Sequence, residues 1–108
     1  MRKIAAIAEA HYVSVAPHNP MGPLATAVNV HFAASQPNFK ILEYLLPTDT
    51  NWNEWVDDPY MPEDGHLSLR PDRPGFGIEI NEDVISDNEY IHWERSSPSR
   101  PDGSTGYI

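Results

Sequence analysis

The spacing of apolar residues alternates between helical and extended periods over residues 1–46, and that alternation limits the fold more than any other property of the chain. In residues 3–10, Ile4, Ile7 and Ala8 recur at helical spacing with Arg2, Lys3 and Glu9 off the stripe, which predicts a short amphipathic helix. "YVSVA" follows, short and β-branched, and reads as a buried strand whose natural partner is a neighbouring parallel strand. Pro17 and Pro20 close it, and between Met21 and Ser35 the residues Leu24, Val28, His31 and Phe32 line one face of a second helix. Pro37 in "QPN" stops that helix, and "FKILEYL" is a second strand. Helix, strand, helix, strand is the order of a parallel α/β sheet or barrel. A parallel pair cannot cover its own edges and apolar faces, so residues 1–46 read as the terminal β/α units of an incomplete barrel.

Residues 47–108 have a different character and read as a C-terminal extension. The chain's eleven prolines are about twice the ordinary usage, and most of them follow Leu46. "PTDTNWNEWVDDPY" has no clear period, and its Trp52, Trp55 and Tyr60 predict a loop or short helix packed through aromatics. "HLSL" and "FGIEI", separated by the turn-forming "RPDRPG", predict a short β-ribbon. Asn81 is placed to cap a short helix over "EDVIS", with Glu82 and Asp83 at the positive end of its dipole. "WERSSPSRPDGSTGYI" has the composition of an extended tail. The length of 108 residues suits one domain, and no internal repeat is visible.

Charge removes whole classes of partner. Seven Lys and Arg stand against sixteen Asp and Glu, a formal net charge of −9, so a nucleic-acid backbone or an anionic membrane is repelled. No cysteine is present, which fits a reducing compartment, and the cytoplasm is the expected location. The basic pair and apolar stretch of "MRKIAAIAEAHYVSV" imitate a signal peptide, but Glu9 and His11 interrupt it. No stretch approaches the roughly 20 apolar residues of a spanning helix.

In a parallel α/β architecture the carboxyl ends of the strands are where side chains reach substrate, and here those ends hold His18 and Glu43. Extended geometry puts Ser14, Ala16 and His18 on one side, and Phe39, Ile41 and Glu43 on one side of the second strand. An inward Glu43 among apolar neighbours suits a hydrogen-bond donor or general acid, and an inward His18 would be presented at the same edge. The pattern leaves open a histidine merely tolerated by its turn and a glutamate paired with a cation at an exposed rim. His11 lies at a helix end and His31 on the apolar stripe, ordinary places for a histidine, and no HxH or HExxH spacing builds a zinc site. The acidic clusters at 57–58, 62–64 and 81–83 lack calcium-loop spacing and read as solvated faces and caps. "PGFG" enters a strand rather than a helix, so it is not a phosphate loop.

Taken in order, "APHNPMGPLATAVNVHFAASQPNFKILEY" and "PDRPGFGIEINED" resemble the C-terminal end of acid-sugar dehydratases in the mandelate racemase branch of the enolase superfamily, nearest the galactonate dehydratase type. The resemblance runs over nearly the whole chain. It implies the last strands and helices of an enolase-type (β/α) TIM-like barrel, joined in the complete enzyme to a capping domain. It further implies Mg²⁺ at the strand ends, His18 as catalytic base and Glu43 as the carboxyl group of the next strand. The implied reaction removes the proton α to a sugar-acid carboxylate and expels the β-hydroxyl through an enediolate.

In that family the carboxylate metal ligands, the acid that helps the hydroxyl leave and the Asp that orients the histidine belong to earlier strands. Residues 1–108 do not contain them, so the chain is expected to be a fragment, inactive alone, whose partners are the rest of the barrel and the capping domain. A homo-oligomer is expected of the complete protein. Two other readings stay open: a racemase or cycloisomerase of the same superfamily, and a non-catalytic interaction module that presents Trp52, Trp55 and Trp93.

Overall fold

A computed structural model describes residues 1–45, 52–92, 98–104 and 106, with the side chains of Trp52 and Asn53 excepted. Helix α1 spans Arg2–Ala10, α2 Pro23–Ala34, α3 Trp52–Trp55 and α4 Glu82–Asp87. The division drawn at Leu46 and Pro47 lies outside the described residues, as does Trp93.

The α1 helix ends where Tyr12 takes a positive φ of 56°, while the His11 and Tyr12 N–H groups donate to Ala8 and Glu9. Ala5 is its buried residue, and Ile4 and Ile7 are 70% and 65% exposed. The predicted stripe is therefore on the outside. What holds the helix is polar: Asn38 Nδ2 donates to Ala5 O and Val13 O, both at 3.0 Å, and ties α1 to the loop after α2.

The two predicted strands meet in parallel, as expected, but only through a single bridge between Val15 and Phe39. Val15 N donates to Asn38 O at 2.9 Å and Lys40 N to Val15 O at 3.0 Å. The next donor in register is missing because Pro17 has no N–H. The following bond skips ahead, from Glu43 N to Pro17 O at 3.3 Å, so the segments stay side by side without an extended ladder.

Gly22 starts α2 with φ 94°, and Pro23 sits in its first turn, where a missing N–H costs nothing. The buried residues are Pro23, Thr26, Ala27, Asn29 and Val30, while Leu24 is 45% exposed. The expected stripe of Leu24, Val28, His31 and Phe32 is thus not the buried face. "PLATAVNVHFAA" is apolar nearly all round, so periodicity alone cannot select the side that packs. Ala27 and Val30 form the core with Tyr60, and Leu42, Leu67 and Ile78 pack against it.

Between α3 and α4 the described residues are mostly turns and irregular segments. "HLSL" and "FGIEI" do not form the predicted ribbon among the described residues; Val56 bridges Ile80, and Glu63 bridges His66. Asp64 and Gly65 both take positive φ, the geometry of a two-residue hairpin turn, which folds His66 back on Glu63. Arg70 then gathers the loops, donating to the carbonyls of Asp58, Pro59 and Gly77 with its guanidinium 4.2 Å above the Tyr60 ring. The Asn81 side chain accepts from Val84 N as the predicted cap of α4, and α4 packs on α3.

Candidate functional site

The Pro17 interruption lets the chain turn directly after the first extended segment, and the second segment ends beside that turn. As a result His18 and Glu43 are adjacent, with His18 Nδ1 2.5 Å from Glu43 Oε2. Their side chains are 79% and 48% exposed, so Glu43 lacks the apolar enclosure its pattern predicted. They flank a cleft of about 300 Å³ whose other walls are Ala16, Pro17, Ile41 and Leu42. Residues of both parities line it, Pro17 beside Ala16 and Leu42 beside Ile41, so the expected division of faces does not by itself select the cleft. Two larger clefts, of about 510 and 580 Å³, are apolar and contain no carboxylate.

Sequence reasoning missed Asn19. It is 2% exposed although His18 beside it is open to solvent. Its backbone N donates to Glu43 Oε2 at 2.8 Å. Its Nδ2 donates to Thr26 Oγ1 at 3.0 Å and to Glu43 O at 3.1 Å, and its Oδ1 accepts from Asn29 Nδ2 at 2.9 Å. The Thr26 hydroxyl in turn donates to Gly22 O at 3.0 Å. The available signal was polarity out of place: Thr26 and Asn29, three apart in an otherwise apolar helix, share a face.

The other candidates fall elsewhere. His11 caps the end of α1 and is exposed. His31 is half-buried, packs edge-on against Phe76 at 5.5 Å and lies 3.5 Å from Tyr60 Oη. Asp57 and Asp58 pair with Arg73 and Arg70 rather than forming a bare acidic face. The Glu79 N–H and then the Arg73 guanidinium hold the Asp57 carboxyl below its usual range. Asp57 in turn holds Arg73 above its own.

Among the described residues no group of three or more His, Cys, Asp or Glu is placed to hold a metal. Mg²⁺ requires several oxygen ligands in near-octahedral array. This site offers one carboxylate, whose Oε2 already meets the Asn19 N–H and His18 Nδ1. The residues present do not fit an Mg²⁺ site of their own.

A model of the family described as enolase C-terminal domain-like matches residues 1–84. The D-xylonate dehydratase of Haloferax volcanii is 33% identical over 84 residues, covering 78% of this chain and 20% of its own length. A D-galactonate dehydratase family member of Streptomyces bingchenggensis is 34% identical over 106 residues, covering 96% of this chain and 25% of the relative. Among solved structures, an enolase from Agrobacterium radiobacter described as a candidate galactarate dehydratase, with Na and L-malate bound, is 54% identical with a TM-score of 0.84. That match covers 97% of this chain and 30% of the other. The chain thus spans about a fifth to a quarter of the curated relatives it matches. By the match over residues 1–84 and by fold, the chain belongs to the enolase C-terminal domain-like family of α/β proteins.

Proposed function

We propose that the chain supplies the last strand ends of a sugar-acid dehydratase, with His18 as the base that removes the α-proton. The observation that carries this is the contact between His18 Nδ1 and Glu43 Oε2 at the mouth of the cleft. A carboxylate on Nδ1 favours the neutral tautomer with its hydrogen on Nδ1, leaving the Nε2 lone pair as the acceptor. In the complete enzyme the resemblance gives the orienting role to an Asp outside the chain, and gives Glu43 the stabilisation of the enediolate.

In the reaction, Nε2 takes the proton α to the substrate carboxylate, and the C–H electron pair moves into the carboxylate to give an enediolate. That pair returns to form a carbon–carbon double bond as the β-hydroxyl leaves, protonated to water by an acid outside this chain. The enol product then becomes a 2-keto-3-deoxy acid. The relatives named for xylonate and galactonate, and the L-malate bound in the Agrobacterium protein, support a polar 2-hydroxy acid as substrate class. The Mg²⁺ dependence implied by the resemblance belongs in this reading to carboxylates outside the chain, and no step above passes through it.

The remaining barrel and capping domain are the partners in this reading, which also places the complete enzyme in the cytoplasm as a homo-oligomer. No helix of the described residues is long and apolar enough to cross a membrane. Of the tryptophans invoked for an interaction module, only Trp55 has a described side chain, and it is 46% exposed.

The test is the complete protein incubated with aldonic and aldaric acids in D₂O. Wild type should release water and give a 2-keto acid. His18→Asn should lose α-proton exchange by a factor on the order of 10² or more, 10² being the lower end of the contribution typical of one general base. A variant that keeps wild-type exchange would falsify the base assignment. Exchange with inversion and no loss of water would replace the dehydratase with a racemase.

A further inference from the structure

We infer that Asn19 is a positioning residue for Glu43: it holds Oε2 as an acceptor and leaves Oε1 to carry the acid proton that meets the enediolate. This deepens the dehydratase reading, with its enediolate role for Glu43, and rests on it. A buried amide is costly unless its polar atoms are satisfied, and an apolar side chain would fill the same space without that requirement. Asn19, at 2% exposure, has both side-chain polar atoms in use.

Asn19 grips Glu43 at two points. Its Nδ2 donates to the Glu43 backbone carbonyl at 3.1 Å, and its own backbone N donates to Oε2 at 2.8 Å. The first bond fixes where the end of the second extended segment lies. The second fixes how the carboxyl group turns, in a side chain 48% exposed that would otherwise sample several rotamers. A backbone N–H can only donate, so Oε2 is the carbonyl oxygen of a neutral Glu43 and Oε1 is its hydroxyl. The His18 Nδ1 contact on Oε2 is not needed for this, because the resemblance gives that nitrogen an Asp outside the chain. A carboxylic acid held this way can donate to an oxygen that gains charge as the α-proton leaves, and so stabilises the enediolate more than the bound substrate. The bond to Oε2 persists only while the turn keeps its place, and α2 keeps it there. Thr26 Oγ1 accepts from Asn19 Nδ2 at 3.0 Å, and Asn29 Nδ2 donates to Asn19 Oδ1 at 2.9 Å. Thr26 gives its own proton to Gly22 O, so its oxygen lone pair is left for Asn19. A regular helix thereby sets the carboxyl group of a strand end.

The experiment measures α-proton exchange in D₂O by the complete protein, per folded molecule, on the aldonic or aldaric acid that wild type turns over. Asn19→Ala should lower kcat by on the order of 10²-fold, as misplacement of a catalytic group by about 1 Å does, with KM unchanged. A merely structural role would lower the folded fraction and leave kcat alone. The same substitution is then made in Glu43→Gln, whose slow residual exchange is followed by NMR over days. If Asn19 acts through the Glu43 carboxyl group, its effect in that background shrinks to about twofold or less. An effect as large in Glu43→Gln as in wild type would mean that Asn19 acts on His18 directly, and overturns the inference. So does an Asn19→Ala protein with wild-type kcat.

Thr26 decides the question should Asn19→Ala fail to fold. Thr26→Val keeps the side chain's shape and removes the acceptor, whereas Thr26→Ser keeps the acceptor and loses a methyl group. Positioning through the hydroxyl lowers kcat in the valine variant and restores it in the serine variant; packing alone gives the reverse order. A valine variant at least as fast as the serine variant overturns the inference. A wild-type protein that neither exchanges an α-proton nor releases water with any aldonic or aldaric acid overturns the proposed function, and this positioning role with it.

Discussion

Gly77 has φ +73°, and a Cβ built on it would lie 2.8 Å from Tyr60 Oη and 3.2 Å from Arg70 Cβ. Tyr60 is a core residue at 3% exposure that donates to Phe76 O at 3.1 Å, so it has little freedom to retreat. Gly77→Ala should therefore destabilise the protein by about 1–3 kcal/mol, the range for a non-glycine residue held in a sparsely populated conformation. Urea unfolding with an unchanged m-value checks this, and a neutral result would mean that the turn reshapes at no cost. Sequence reasoning could discard "PGFG" as a phosphate loop but could not see Tyr60, which approaches from 17 residues earlier in the chain. The same limit hid Asn19. His18 and Glu43 could be singled out as candidates because strand ends are local properties. The partners of Asn19 at Thr26, Asn29 and Glu43 meet it only after the turn has formed.

Between elements, interruptions decide more than propensities. The parallel pairing of the two extended segments was readable from their apolar patterns, but its reduction to one bridge follows from the absent donor of Pro17. In α2 the composition declared a helix and, being apolar on most sides, concealed its packing face; the polar demand of Asn19 drew Thr26 and Asn29 inward. The predicted ribbon failed because Asp64–Gly65 closes a tighter hairpin and Arg70 occupies the carbonyls around it.

The join between the Val56 and Ile80 segments carries its own pH dependence. Asp57 Oδ1 accepts from Glu79 N at 2.8 Å, and its other oxygen pairs with Arg73, which together depress the Asp57 pKa. Because the folded-state pKa is lowered, the unfolded chain takes up the proton first on acidification. The stabilisation is therefore fully present above the ordinary carboxyl value near about 4 and is lost as pH falls through the lower folded value. Asp57→Asn should remove that share of the acid sensitivity while leaving the neutral-to-alkaline side of the stability profile flat. A variant as acid-sensitive as wild type would show that other carboxylates dominate.

Across the whole molecule, what is exposed is as informative as what is buried. The Cα radius of gyration is 17.4 Å, against about 13 Å for a compact domain of 100 residues. Among the described residues the buried apolar side chains are Ala5, Ala27, Val30, Val56 and Tyr60, while Ile4, Ile7, Val13 and Ile41 are all more than half exposed. The α/β order was legible because it depends on short stretches of sequence. Which faces are covered was not, and the relatives, about four times as long as this chain, point to the reason. If residues 1–46 are one end of a barrel, the exposed edge of the Val15–Phe39 pair and the outer face of α1 are surfaces meant for neighbouring units. Isolated residues 1–108 then bury too little apolar area to offset the conformational entropy of ordering the chain. A thermal melt of the isolated chain should be broad, with helix signal and tertiary signal lost at different temperatures. The same residues within the complete protein should melt in one transition. A sharp two-state melt of the isolated chain as a monomer would sink the fragment reading, since it would show that these exposed faces need no neighbour.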